Sequence, residues 1–239
     1  MKKMRNIGLL AALAITAGLS VLACNWYSAE PDPAIAPSLF AINAQGIVTG
    51  LSTQGFAAVA AGETDIVIPP VINGIEVTAI GVFAFENSQL TSVVIPAGVT
   101  TIGNNAFQNN NLLTSVVIPA GVTTIGSSAF QNNNLTEVII PSSVQTIGTN
   151  AFQNNNLTEV TIPSSVQTIS PGAFMNAFDA SQESTVTFEG ANTSVWGTSF
   201  NPNGDTLGIP PVQAAVVEQG TFTRTPIALG GNNEWIREP

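Results

Sequence analysis

Glu137 and Glu159 are the side chains of this chain whose type and spacing come nearest to chemistry. They stand 22 residues apart, at the same place in two nearly identical segments, Thr136-Glu-Val-Ile-Ile-Pro141 and Thr158-Glu-Val-Thr-Ile-Pro163. If those segments are neighbouring strands, their backbones lie one strand spacing apart, about 4.8 Å. A carboxylate pair at about 5–5.5 Å is what a retaining glycosidase uses. The same pair could hold a divalent cation weakly, with most of a calcium shell left to water. The competing explanation is that a duplicated segment copied a solvated glutamate. We favour it, because no cleft for a sugar is legible in the sequence. The rest of the inventory points the same way. The chain has no His and one Cys, Cys24, and past residue 5 its only basic residues are Arg224 and Arg237. That removes most arrangements of nucleophile and general base. No glycine-rich phosphate loop precedes a helix. The expectation is a non-enzyme without cofactor or metal.

The elements that would position the two glutamates are repeats. Leu90-Thr-Ser-Val-Val-Ile-Pro96 returns at residues 113–119, 135–141 and 157–163, each time followed by Val-x-x-Ile and Ala-Phe. The phenylalanines Phe85, Phe107, Phe130, Phe152 and Phe174 are spaced 22, 23, 22 and 22 residues apart. A period of this size specifies a solenoid, in which each coil is stable only when stacked on the next. Within one coil, Val93 and Ile95 alternate with Ser92 and Val94, as in a short strand. Pro96 lacks a donor and ends it. Gly98 and its counterparts Gly121, Ser143 and Ser165 serve the turn. Val99 and Ile102 point inward again, and Ala106-Phe107 closes the coil through a short turn of 3₁₀ or helical character. Strands are expected near 66–68, 93–95, 116–118, 138–140, 160–162 and 186–188. The phenylalanines should form one interior column, and Ile80, Ile102, Ile125, Ile147 and Ile169 another.

Asn87, Asn109, Asn132, Asn154 and Asn176 each follow a phenylalanine by two residues. A structural ladder of amides that satisfies turn carbonyls is the favoured reading. A ligand track is the alternative, and amides are poor sole ligands for metal ions. On the outward strand face the candidate binding residues are Ser92, Val94, Ser115, Val117, Glu137, Ile139, Glu159 and Thr161. The apolar run Val94, Val117, Ile139 sits where alternation predicts exposure. It is either an interaction stripe or a consequence of β propensity alone.

Residues 1–23 form a separate segment, with a basic start at Lys2, Lys3 and Arg5 and an apolar stretch over 7–23 that is short for a membrane span. It ends in Val21-Leu22-Ala23-Cys24, which resembles a bacterial lipobox, so Cys24 is expected to carry acyl chains. Residues 24–38, with Pro31, Pro33 and Pro37, read as a lipidated tether. Residues 39–190 read as the solenoid with its N-terminal cap, and 191–239 as an irregular C-terminal cap and tail. Without the leader, two arginines face 15 acidic residues, a formal charge of −13. This argues against nucleic acid and against charge-driven lipid binding. Membrane attachment would then rest on acyl chains alone, and a protein partner would carry a basic patch.

The pattern L-x-x-V/I-x-I-P-x-x-V-x-x-I-x-x-x-A-F-x-N resembles the BspA-like, treponemal-type leucine-rich repeat over residues 46–174. The resemblance implies a mainly β solenoid: a right-handed stack of coils about 22 residues long, with a parallel sheet and short turns. It further implies an exported, membrane-anchored lipoprotein at the outer membrane or cell surface. There the protein would mediate contact or adhesion to host extracellular matrix or another cell surface. A structural envelope lipoprotein without a host partner is the alternative, and a carbohydrate-active enzyme using Glu137 and Glu159 a distant third. The chain departs from the family at the position where many members carry Cys, which here holds Ser88, Asn110, Asn133 and Asn155.

Overall fold

The computed structural model describes residues 37–178, 183–190, 193–196, 214–217, 219–224 and 235–237. The leader, Cys24 and most of the tether therefore lie outside the described residues. The described residues form a β solenoid of mainly parallel strands.

Each repeat contributes to two sheets. The first holds Asp65–Val67, Ser92–Val94 and Ser115–Val117, paired in parallel with Asp65 opposite Ser92 and Ser92 opposite Ser115. These strands begin one residue earlier than the sequence period places them. The second is built from Ala79–Ile80, Thr101–Ile102, Thr124–Ile125, Thr146–Ile147 and Thr168–Ile169, stacked in register. Its strands are two residues long, too short to leave an alternating signature, so the sequence shows their isoleucines as inward residues but not the sheet. Gly126 shows how tightly the coils approach there, since a Cβ on it would lie 2.6 Å from the backbone of Gly103. A side chain at this position would push two coils apart.

Between the sheets the chain closes through turns rather than helix. Ala106 N donates to Gly103 O and Gln108 N to Asn105 O, while Phe107 N reaches across to Ala129 O in the next coil. The i→i+3 closure is of the expected 3₁₀ type, but left-handed residues interrupt it. Asn105 and Asn109 have φ of 59° and 60°, and Asn150 and Asn154 repeat this with 57° and 54°. Asn tolerates that conformation better than other residues with a Cβ.

The interior columns follow the spacing of the sequence. Phe85, Phe107, Phe130, Phe152 and Phe174 are fully buried, with successive ring centroids 5.2–5.4 Å apart and planes within 13° of parallel. The five isoleucines are buried beside them. Burying one such side chain is worth about 1.5–3 kcal/mol, so the columns are the main source of stability in a chain without a disulfide. An antiparallel pair, Phe40–Ile42 with Ile47–Leu51, covers the N-terminal end and sets Phe40 edge-on to Phe85 at 6.2 Å. The helix Thr53–Ala60 follows, capped by the Ser52 side chain. That helix was not expected.

The C-terminal part differs from the irregular cap read in the sequence. Thr193–Trp196 continues the second sheet in parallel and Ala214–Val217 adds an antiparallel strand. Ser184–Phe188, Gly220–Arg224 and Trp235–Arg237 form a four-stranded sheet with Glu159–Ile162. Ser184–Phe188 covers the strand expected near 186–188, whereas pairing with strands already in place makes the described segments after residue 190 regular, although their Gly, Asn and Thr content hides them in the sequence.

Candidate functional site

The expected site residues fall in two columns that begin on the outer surface of the first sheet. One runs Asp65, Ser92, Ser115, and then Glu137 and Glu159 in the repeat order; the other runs Val67, Val94, Val117, Ile139 and Thr161. Ser92, Val94 and Val117 are half-buried, whereas Ser115, Glu137, Glu159 and Thr161 are exposed. Ile139 is the most open of the apolar stripe, at 55% exposure. At one end the Asp65 carboxylate accepts from the hydroxyls of Thr91 at 2.5 Å and Ser92 at 2.9 Å. Its charge is thereby tied into the sheet.

The columns do not run unbroken. Residues 137–140 join Ser115–Val117 only through a bridge between Val117 and Ile139. Glu159–Ile162 pairs with Ser184–Phe188 and belongs to a different sheet. No ladder joins the two segments, although Thr158 N donates to Thr136 O at 3.4 Å just before them, and a cleft of about 440 Å³ opens on their outer side. Glu137, Ile139 and Pro141 line one wall, Glu159 and Thr161 the other, and Glu189 completes the lining. The sequence reading found no cleft here. An even stack of repeats predicts an unbroken ladder, and only the tertiary arrangement shows the ladder interrupted here. It missed Glu189 too, because 30 residues separate it from Glu159 and the repeat period does not connect them. Glu189 is brought in by its backbone N–H, which donates to Ile162 O at 3.0 Å.

Three carboxylates around a cleft invite comparison with a glycosidase, but the surroundings differ. A general acid of that class depends on an apolar enclosure, and Glu137 and Glu159 are open to solvent. Among the described residues no three His, Cys, Asp or Glu side chains converge closely enough to hold a metal ion.

The asparagine columns are assigned differently from the sequence expectation. Asn132 donates to Asn109 Oδ1 at 2.8 Å, Asn154 to Asn132 at 2.7 Å and Asn176 to Asn154 at 3.3 Å. Asn87 shares their left-handed backbone, at φ 54°. These amides bond one another, and the turn carbonyls go to the next residue along. Asn110 donates to Phe85 O and Phe107 O and accepts from Leu90 N. Asn155 repeats this with Phe130 O, Phe152 O and Leu135 N, and Asn133 bonds Phe107 O and Asn110 N. Asn110, Asn133 and Asn155 are buried. The reason is geometric: the left-handed residue turns its side chain outward, so its successor faces the core. In the sequence these positions stood out only as a departure from the family pattern.

The profile of the BspA type leucine rich repeat region matches residues 65–202, in six copies. The chain belongs to the BspA-type leucine-rich repeat family. A solved leucine-rich repeat protein from Bacteroides ovatus is 30% identical, with a TM-score of 0.50 over 57% of this chain and 36% of its own length. The BspA-type chain thus spans about a third of that relative. The T. pallidum leucine rich repeat protein is 24% identical, at a TM-score of 0.44 over 58% of this chain and 74% of its own. A leucine rich cell surface protein from Faecalibacterium prausnitzii is 23% identical, at 0.39 over 84% and 59%. No curated protein matches the chain.

Proposed function

We propose that this protein is an exported, non-catalytic contact protein, held at a membrane through acylated Cys24, with the outer strand face as its binding surface. The observation that carries the reading is that face itself. Repetition sets Ser92, Ser115, Glu137 and Glu159 in one column and Val94, Val117 and Ile139 in the next, on a rigid stack of coils. A solenoid offers such an extended surface where a globular enzyme offers a pocket. The leader ending at Cys24 supports attachment to the cell envelope, and membership in the BspA-type family supports a role in protein contact. The partner's own surface is basic, because the chain past its leader carries −13 and opposite charge speeds encounter.

The test is adhesion of intact cells bearing the protein to immobilised basic host matrix proteins. Val117→Ser with Ile139→Thr should lower adhesion and raise the off-rate while leaving the fold intact. Surface exposure should be checked with a glutamate-specific protease, since between residue 5 and Arg224 trypsin finds no cleavage site. Protection of the protein on intact cells, or unchanged adhesion by the double variant, overturns the reading.

A further inference from the structure

Charge is spread unevenly along this chain, and the N-terminal cap has none. Residues 33–62 contain no Asp, Glu, Lys or Arg, although the chain past its leader carries 15 acidic residues. The uncharged stretch includes the pair Phe40–Ile42 with Ile47–Leu51 and the helix Thr53–Ala60. These elements close the N-terminal end of the stack.

The helix is not built like an ordinary surface helix, which buries an apolar stripe and turns charged groups to water. Here Gly55 is the one buried residue of the helix. It lets the helix lie close on the chain below, since a Cβ at Gly55 would fall 2.2 Å from Leu39 O. With 3.6 residues per turn, Thr53, Phe56, Ala57, Ala60 and the capping Ala61 share the opposite face. All five are exposed. Phe56, at 61%, is the most exposed large apolar side chain among the described residues. An open apolar face of this kind marks a contact.

The position of the helix indicates what it contacts. It adjoins the 3₁₀ turn Pro37–Leu39, where the described chain begins. Residues 25–36 alone separate that turn from Cys24. Fully extended, they span at most about 40 Å. A link this short holds the helix near an acyl-anchored Cys24 at an effective concentration of millimolar order, so a short helix needs little affinity of its own. Charge supplies the direction. Anionic headgroups repel carboxylates, and the acids of the folded part begin at Glu63, just after the helix. The strand Val71–Ile72 also adjoins Pro37–Leu39 and exposes Val71, with the exposed Glu76 opposite it as a polar edge. The uncharged cap can meet lipid, whereas the carboxylate-bearing coils are repelled by it.

We propose that the Phe56 face of the helix Thr53–Ala60 rests in the headgroup region of the bilayer that holds Cys24, with the Phe56 ring inserted at the acyl boundary, as interfacial helices do. The inference rests on the acylation of Cys24 and adds a second point of attachment. A tether alone leaves the solenoid free to turn over the surface. A second contact fixes which end meets the membrane and keeps Val117 and Ile139, on later coils, clear of lipid.

The experiment uses the full-length lipidated protein in vesicles of phosphatidylcholine and phosphatidylglycerol. Cys24 is the only cysteine and acylation blocks its thiol, so Ala57→Cys and Gln167→Cys each create a single site for a polarity-sensitive fluorophore. Gln167 is exposed and lies on a distant coil. The label at residue 57 should shift to shorter wavelength and be quenched by lipids spin-labelled near the headgroup, and the label at residue 167 should do neither. Phe56→Ser or Ala60→Glu, each combined with the label at residue 57, should remove most of the quenching while circular dichroism stays unchanged. A label at residue 57 that remains in water, like the one at residue 167, overturns the inference, and so does quenching indifferent to both substitutions. A wavelength shift without lipid quenching, joined by energy transfer between labelled copies, assigns the face to a second copy of the chain and overturns the inference as well. Mass spectrometry of the same sample separates the two levels. Acyl chains on Cys24 with residue 57 in water refute the helix contact alone. A free thiol on Cys24 refutes both the anchor and the contact built on it.

Discussion

The two faces of each coil carry the same repeat and end differently. On the Thr-Ile face, Ile80 to Ile169 pair without interruption and the phenylalanine column behind them keeps an even spacing. On the Ser/Glu-Val face, the ladder holds from Asp65 to Ser115, thins to a bridge at Ile139 and parts before Glu159. Repetition of an apolar residue reinforces itself, because each copy buries the next. Repetition of a charge gains no such burial, since Glu137 and Glu159 stay exposed to solvent. The same duplication therefore accompanies a continuous core on one side and an interrupted ladder on the other.

The contrast can be broken most severely from the core. Phe130→Ala removes a ring with stacked neighbours on both sides, and such changes cost about 3–5 kcal/mol. A denaturant melt should show that loss. A loss under about 1 kcal/mol would mean that the column does not hold the coils together. Next in size is the amide pair at the coil corner. Asn155→Ala leaves Phe130 O, Phe152 O and Leu135 N without their partner, at about 1–3 kcal/mol for a buried group left unpaired. Asn154→Gly, one residue earlier, keeps the left-handed backbone and should change stability by less than about 0.5 kcal/mol. Equal losses at the two positions would undo the assignment of the turn carbonyls to Asn155.

A smaller effect, of opposite sign, is expected at Phe83. It is 55% exposed and sits at φ 58°, where later coils carry Asn105 and Asn150. Left-handed backbone costs most residues about 1–2 kcal/mol, so Phe83→Asn should stabilise the chain by part of that in the same melt. The smallest effect lies at the interrupted ladder. Glu137→Thr with Glu159→Thr removes the neighbouring charges and should stabilise by about 0.2–1 kcal/mol, with slower hydrogen exchange at the amides of residues 159 and 161. Unchanged exchange there would show that the like charges do not weaken the ladder.

Much of the fold was legible because the repeat states its own period. The spacing of Phe107, Phe130 and Phe152 places them in one column whatever the detailed path of the coil, and the isoleucines follow for the same reason. The Thr-Ile sheet was less legible, since two-residue strands have no alternation to read. At the candidate site, the juxtaposition of Glu137 and Glu159 came from register alone, but Glu189 lies outside the period and needed the pairing of Ser184–Phe188 to bring it in. The asparagines show a further limit. Recurrence marked Asn132, and Asn133 stood out only as a departure from the family pattern; the left-handed φ of Asn132 is what turned its successor inward.

Local chemistry therefore determined the coil: its length, its interior columns and the proline that ends each strand. The tertiary structure decided where equivalent coils fail to be equivalent. Glu159–Ile162 forms a ladder with Ser184–Phe188, while residues 137–140 hold to the coil before them through a single bridge. That difference depends on which segment of another coil supplies the partner for each strand edge, and no single repeat contains its own neighbours.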